Sequence, residues 1–511
     1  MASTILRRNV SANYASQLYS IIVGVVMVPM YLKYMGTETY GLIGLFAILQ
    51  LCVQSLDMGI TPTLSREVAR SRAGATQSSA LWQLLRSFEV IFVGLGLLIL
   101  VGVAASANYI STGWIKAGHL DVVGVERSLV LMAASAWLRW FSGLYRGVVA
   151  GFEKQVWQSG MNAAIATAHS IVVIPFLAYV GATPVYFFTY QFAVSAIEFL
   201  LVSRKAYQLL PDVSDGSRIW FQFGAMQRVF RFSAIIAVTG GLWVIVTQTD
   251  KILLSKILSL SDFGLFSLAT VVAGGIATLN LPLSNALLPR LTDLSARAEQ
   301  VQLVSLYRNA TQFVAVMACS AALFLALFSR PVLWVWTGNV HFADGAAVTL
   351  TLYALGNGVS ALGAFPYYLQ YAKGKLSLHL VGSILYLFVL VPSVVLLALK
   401  YGTVGAGSAW LGTNLLFLMC WVPYVHRRFL GPFHLSWLTR DVGIICVATA
   451  TAEVTIKSLV VWPSDRFGAG ILLFAFATLS VAAAAAASSF ARGALAAAWV
   501  RFRAGRVAPS V

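Results

Sequence analysis

The stretch MASTILRRNVSANYASQLYSIIVGVVMVPMYL, Met1 to Leu32, decides how the rest of the chain is read. It has the basic start of a signal peptide, Arg7 and Arg8, ahead of an apolar run. That run is longer than a signal-peptide core and no A-x-A-like cleavage site follows, so it is expected to remain as a first membrane helix. Moving outward, apolar runs of about 20 residues, each long enough to cross a hydrocarbon core roughly 30 Å thick, recur along almost the whole chain. Of the 511 residues 59% are hydrophobic and 10% charged, against about 25% charged in an ordinary soluble domain. The fold class expected is therefore an all-α polytopic membrane protein of about fourteen transmembrane helices. The spans are placed at 12–33, 40–62, 84–106, 128–150, 157–180, 185–203, 233–255, 264–288, 310–336, 346–371, 377–399, 405–426, 441–461 and 467–489.

The distribution of charge sets the expected topology. With the N-terminus inside, 25 of the 35 Lys and Arg fall on the cytoplasmic side and 9 outside, with Arg139 left within a span. That asymmetry predicts both termini on the cytoplasmic side. Clusters such as Arg66, Arg70 and Arg72, or Arg427 and Arg428, fix the topology and touch anionic lipid. A net charge of +17 would suit nucleic acid, but the basic residues lie in short loops with no soluble domain to hold a reading motif. Cys52, Cys319, Cys420 and Cys446 all lie inside apolar runs and are expected to be free, buried thiols. No CxxC, HExxH, GxSxG or phosphate loop occurs, so neither a metal, nor an organic cofactor, nor an enzyme activity is expected.

A faint internal repeat appears on shifting the chain by 223 residues, which lays Tyr40-Gly41-Leu42 over Phe263-Gly264-Leu265 and Asp57 over Asn280. Six spans separate the copies, so the two halves share one orientation, as in transporters built from parallel repeats. This predicts an N-lobe at 1–206, a cytoplasmic linker at 207–232, a C-lobe at 233–428, two extra spans within 441–490 and a cytoplasmic tail at 491–511.

Polar side chains recur on one face of several spans. In the fourth, Ser128, Ser135, Arg139, Ser142 and Arg146 follow one another at helical steps. An arginine near mid-membrane costs about 2.5–3.5 kcal/mol on insertion scales and should face protein or water, so Arg139 serves either a substrate or a helix-to-helix bond. The first span aligns Asn9, Asn13, Gln17, Ser20 and Gly24; the second aligns Ala47, Gln50, Gln54, Asp57 and Thr61; the seventh ends in Thr247, Gln248, Asp250 and Lys251. Such stripes either line a water-filled cavity or join helices by hydrogen bonds. Together they point to a central polar cavity between the halves, with Arg139, Arg146, Lys251, Asp250, Gln248, Asp57, Gln54, Gln50, Asn13, Gln17 and Asn280 as candidate substrate contacts. Glu89, Glu198 and Glu453 are further carboxylates in or near spans and candidates for proton coupling.

The segments NVSANYASQLYSIIVGVVMVPMYLKYMGTETYGLIGL, LDMGITPTLSREVAR, LYRGVVAGFEKQVWQSGMN, TDKILLSKILSLSDFGLFSLA and PVLWVWTGNVHFADGA, in this order across residues 5 to 430, resemble the polysaccharide transporter family of O-antigen and exopolysaccharide flippases. The resemblance implies two six-helix lobes around a central cavity, within the multidrug, oligosaccharidyl-lipid and polysaccharide exporter superfamily. It implies as substrate an undecaprenyl-diphosphate-linked oligosaccharide, flipped from the cytoplasmic to the periplasmic leaflet by alternating access. Arg139 and Arg146 fit a diphosphate, since a planar guanidinium matches phosphate oxygens. A polymerase and a chain-length regulator of the same pathway are the protein partners implied. Coupling to a proton or sodium gradient is admitted but not required. Two alternatives remain at this stage: a cation or drug exporter of the same superfamily, which calls for carboxylates at the cavity centre, and a membrane scaffold of a polysaccharide assembly complex that transports nothing.

Overall fold

The computed structural model describes residues 2–57, 59–72, 78–211, 241, 244–278, 280–494 and 496. Among them every regular element is helical, apart from one bridge between Lys116 and Ser259. Ten stretches are long and apolar enough to cross a membrane. Two of these, Ser11–Ser55 and Ser377–Leu430, are each broken at a glycine. Gly36 (φ 76°) and Gly402 (φ 59°) sit in the left-handed region that costs glycine little. The breaks fall where the sequence separates the first span from the second and the eleventh from the twelfth. The chain is an all-α, multi-pass integral membrane protein.

The first compact unit comprises residues 1–264. Its helices are α1 (Ala2–Ser55), α2 (Ile60–Arg72), α3 (Ser78–Tyr109), α4 (Val122–Gly151), α5 (Gln155–Thr167), α6 (Val173–Val180), α7 (Pro184–Leu209) and a helix described over 244–257 (α8). Side-chain caps mark two of the helix starts. Asp121 accepts from the Gly124 amide at 3.0 Å to open α4, and Thr183 followed by Pro184 opens α7. α4 is absent from the ten apolar stretches because the serines and arginines of its stripe dilute it. It is nonetheless the hub of the unit, packing on α1, α2, α3 and α7. Small residues let it approach closely: a Cβ on Gly147 would press on the Thr61 carbonyl, and one on Gly151 on Val68 and the Ser65 carbonyl. The Trp137 indole donates to the Phe92 carbonyl at 3.0 Å, and Trp140 stacks on Phe92 at 4.1 Å between centroids.

The second span ends earlier than the sequence suggests. α1 stops at Ser55, and Asp57 lies in the turn before α2, where its carboxylate accepts from the Thr61 amide at 3.3 Å and hydroxyl at 2.5 Å. Asp57 therefore caps α2 rather than continuing the face of Gln50 and Gln54. The physical reason is local: an aspartate followed by Gly59 at φ 72° favours a turn and a new helix start over continuation.

The second unit comprises residues 265–511. α9 (Leu260–Thr278) enters it, followed by α10 (Asn280–Ala296), α11 (Gln300–Leu327), α12 (Ser329–Thr337), α13 (Val340–Gly363), α14 (Phe365–Ala372), α15 (Leu376–Leu430), α16 (His434–Ser436), α17 (Ile444–Leu459) and α18 (Arg466–Ala487). The two extra C-terminal spans expected within 441–490 are bound into this unit. The Arg308 guanidinium of α11 donates to both oxygens of the fully buried Asp441, at 2.8 and 3.2 Å, and Gln312 donates to it at 2.7 Å. The Gln312 carbonyl in turn accepts from Ser488 at 2.9 Å, Ser489 at 3.1 Å and the Phe490 amide at 2.9 Å. One turn of α11 thus holds the start of α17 and the end of α18. At the other end the Arg466 guanidinium donates to the Val335 and Trp336 carbonyls that finish α12. Phe328, Leu473 and Phe476 pack between these helices.

The expected linker at 207–232 and tail at 491–511 fall largely outside the described residues. The four cysteines are free, but only Cys319 is buried; Cys420 is exposed on α15 and the other two are half-buried. Asp441→Ala will leave Arg308 unpaired and unlock both C-terminal spans. Thermal unfolding of purified protein should show a loss of about 3 kcal/mol, the order seen when one partner of a buried ion pair is removed; an unchanged midpoint would mean that the network carries no stability.

Candidate functional site

The α4 stripe shares one face, as its spacing predicts, and that face turns into the protein. Ser128, Ser135 and Ser142 are fully buried, and each hydroxyl donates to the carbonyl four residues earlier, at 2.7, 2.7 and 2.8 Å. The serines are therefore packing residues with self-satisfied hydroxyls, and they line no cavity. The arginines between them behave differently. Arg146 makes a short ion pair with Glu198 of α7, whose side chain is 2% exposed. Arg139, two turns along α4, is half-buried and makes no hydrogen bond or ion pair among the described residues.

A third element completes the cluster. Residues Ala168–Val172 form a single π-helical turn between α5 and α6. Such a turn adds one residue to the helix and redirects its side chains, a device frequent at functional sites. It carries the buried His169, whose Nδ1 is hydrogen-bonded to the side-chain Oε1 of Gln191 on α7. The Gln191 amide nitrogen donates to the His169 carbonyl at 3.0 Å. This double contact fixes the amide's orientation, so Nδ1 carries a hydrogen and Nε2 faces Glu198 Oε2 at 3.8 Å. Glu198 Oε2, His169 Nε2 and Arg146 Nε are all buried without a hydrogen-bond partner among the described residues. Arg139, Arg146, His169, Gln191 and Glu198 thus form one charged cluster in the first unit.

The other candidates divide. Asn13 and Gln17 are exposed and bonded to each other at 3.3 Å, so the α1 stripe joins no neighbouring helix through them. Gln54 is exposed, and the half-buried Gln50 has an amide nitrogen with no partner among the described residues. Lys251 donates to Asp250 at 3.2 Å and to the Thr247 carbonyl at 2.6 Å, so these neighbouring charges neutralise each other on α8. Gln248 is buried beside Thr247. The side chain of Asn280 lies outside the described residues. Glu89 accepts from Arg86 at 2.8 Å, Tyr145 at 2.9 Å and Tyr207, which makes it a joint between α3, α4 and α7. Glu453 accepts from Ser480 and joins α17 to α18.

Sequence reasoning singled out Arg139, Arg146 and Glu198 but missed His169 and Gln191. Gln191 lies seven residues before Glu198 and so on the same face of α7, a spacing that could have signalled it. A π turn leaves no such signal. A double-mutant cycle of Arg146→Ala and Glu198→Ala should give a favourable coupling energy of about 1 kcal/mol, discounted for the partial exposure of Arg146. Additive effects on unfolding would show that the pair does not form.

A sequence model of the family described as "Polysaccharide biosynthesis protein" matches residues 6–295. A Shigella flexneri protein named as a candidate O-antigen transporter is 22% identical over 388 residues, which cover 74% of this chain and 87% of that protein. Among solved structures the fold is similar to that of the lipid II flippase MurJ in an inward closed conformation. The TM-score is 0.69 at 13% identity, over 93% of this chain and 97% of the other. It is also similar to an inward-facing MATE multidrug transporter of the MOP superfamily, with a TM-score of 0.64 at 14% identity over 80% of this chain and 94% of the other.

Proposed function

The chain belongs to the polysaccharide biosynthesis protein family, and from that membership we propose that it flips undecaprenyl-diphosphate-linked oligosaccharide repeat units from the cytoplasmic to the periplasmic leaflet of a bacterial inner membrane, by alternating access. The observation that carries the reading is Arg139, a guanidinium near the middle of a membrane helix with no hydrogen bond or salt bridge among the described residues, its nearest charges being Glu198 and Arg146. An unpaired cation at that depth has a use if an anionic ligand visits it. A diphosphate supplies paired oxygens that suit the planar fork. Arg146, already paired with Glu198 at rest, is the second contact: as the diphosphate arrives it competes with the carboxylate for the guanidinium.

Displaced from Arg146, Glu198 is a buried carboxylate beside His169, and the pair is the place at which a coupling ion, a proton or sodium, would act. The lobes of the transporter are the repeat halves, 1–206 and 233–428, with both termini in the cytoplasm. Its partners are the lipid-linked glycan, anionic lipids at the cytoplasmic basic clusters, and the polymerase and chain-length regulator that use the flipped product.

Deleting the gene should abolish surface or secreted polysaccharide and leave lipid-linked repeats on the cytoplasmic face. Arg139→Ala should abolish export at a normal protein level, while Arg139→Lys keeps part of it, because lysine retains the charge and loses the bidentate fork. Polysaccharide yield and membrane protein level must be measured together. Full export by Arg139→Ala at wild-type abundance would remove Arg139 from the site.

A further inference from the structure

The repeat visible in the sequence reappears as a contact. The shift that lays Gly41 over Gly264 also lays Thr37 over Leu260. In the structure a Cβ placed on Gly41 would overlap the Leu260 carbonyl oxygen, and one placed on Gly264 would overlap the Thr37 carbonyl oxygen. The exchange of Gly41 with Gly264 and of Thr37 with Leu260 turns each contact into the other. The start of the second span and the start of α9 therefore cross about a local two-fold axis, each glycine resting on its partner's carbonyl. Only glycine permits backbones to come this close.

Around the crossing the chain is laced by hydrogen bonds. The Thr37 hydroxyl lies 2.7 Å from that of Ser261. The Leu260 amide donates to the Lys116 carbonyl at 2.9 Å, and the Lys116 ammonium donates to the Ile257 carbonyl at 2.9 Å. Trp114 donates to the Ser255 hydroxyl at 3.1 Å, and the Glu38 carboxylate accepts from the His119 amide at 3.1 Å. Residues 255–264 are thereby held by the connections that follow the first and third spans. All three connections lie on one side of the membrane, the outer side if the termini are inside.

We propose that this glycine crossing is an outer latch, closed here, which parts each time the transporter opens to the periplasm. The proposal rests on the flippase reading above. The bonds suit a reversible contact. Among the described residues no salt bridge crosses it, and Cα–H to carbonyl contacts and hydroxyl bonds are individually worth about 1 kcal/mol or less. Two copies of one element meeting about a two-fold axis can also separate by equal and opposite rotation of each, the motion that rocking repeats perform.

The test is the variant Thr37→Cys/Ser261→Cys, produced in cells with Thr37→Cys and Ser261→Cys alone as controls. The side chains remain small and near-isosteric, and the hydroxyl separation predicts that an added oxidant will join the two thiols. Cross-linking is read by loss of labelling with a polyethylene-glycol maleimide. A latch predicts that the reduced variant exports polysaccharide, that oxidation lowers export to the level of the deletion strain, and that a reductant restores it. Failure to cross-link would overturn the geometry. Complete cross-linking with export unchanged would show a permanent weld and sink the latch alone. Unchanged polysaccharide in the deletion strain would instead sink the flippase reading, and the latch with it. A second variant, Gly41→Leu, should cut export while the protein stays at wild-type level, because the crossing can no longer close.

Discussion

A charge in hydrocarbon needs a partner, and the first unit is organised around that constraint. Arg146 meets it through Glu198, and the pairing draws α4 against α7. Glu198 is buried, and its second oxygen faces His169, carried on the π-helical turn, at 3.8 Å. Gln191 fixes the imidazole from the same helix as Glu198. Remove the guanidinium and each later element of the cluster loses its reason to be polar. The second unit obeys the same rule with a different result. Arg308, Asp441 and Gln312 satisfy one another and the end of α18, leaving no free cation in that network. One arrangement closes on itself and holds helices; the other ends at Arg139, with a charge to offer.

What the sequence allowed one to read followed from period and composition. Long apolar runs announced membrane helices because backbone groups in lipid must bond within their own helix. Steps of three, four and seven placed Arg139 and Arg146 on one face, and the structure puts them there. What resisted reading was local chemistry that replaces one regular pattern by another. Asp57 continued the helical spacing of Gln50 and Gln54, yet its carboxylate is better satisfied as a cap one turn later, and capping won. The serines of α4 looked like cavity lining, but a hydroxyl can bond its own helix, so a polar letter on a buried face need not signal water. His169 was invisible because a π turn shifts the phase of every side chain around it.

The repeat was the weakest sequence signal and has a plain physical basis. Apolar helices resemble one another through composition alone, so matching leucines carry little information. Glycines carry more, since a glycine is demanded only where something comes too close for a Cβ. Gly41 and Gly264 are the pair that the shift superposes, and each lies where another backbone's carbonyl would meet that Cβ. A shared steric demand at superposed positions is harder to obtain by chance than shared hydrophobicity. Thr37 and Leu260, its other members, share no chemistry at all, because only their carbonyl oxygens take part. This also explains why the surrounding letters differ between the copies: Ser261 supplies a hydroxyl where the first copy has Glu38, and neither is needed for the backbones to touch.

Charge balance also bears on the direction of transport. With the cell interior negative, a diphosphate crossing outward gains about 2.3 kcal/mol per elementary charge for each 100 mV it traverses uncompensated. A cavity that carried its own cations along with the substrate would cancel that gain. Arg139 and Arg146 sit on α4, which is packed into its unit through buried serines, tryptophans and tight glycines, and is therefore part of a rigid body. If that body rocks, the guanidinia move only as far as it rocks, while the substrate passes from one face to the other. The membrane potential then acts mainly on the ligand.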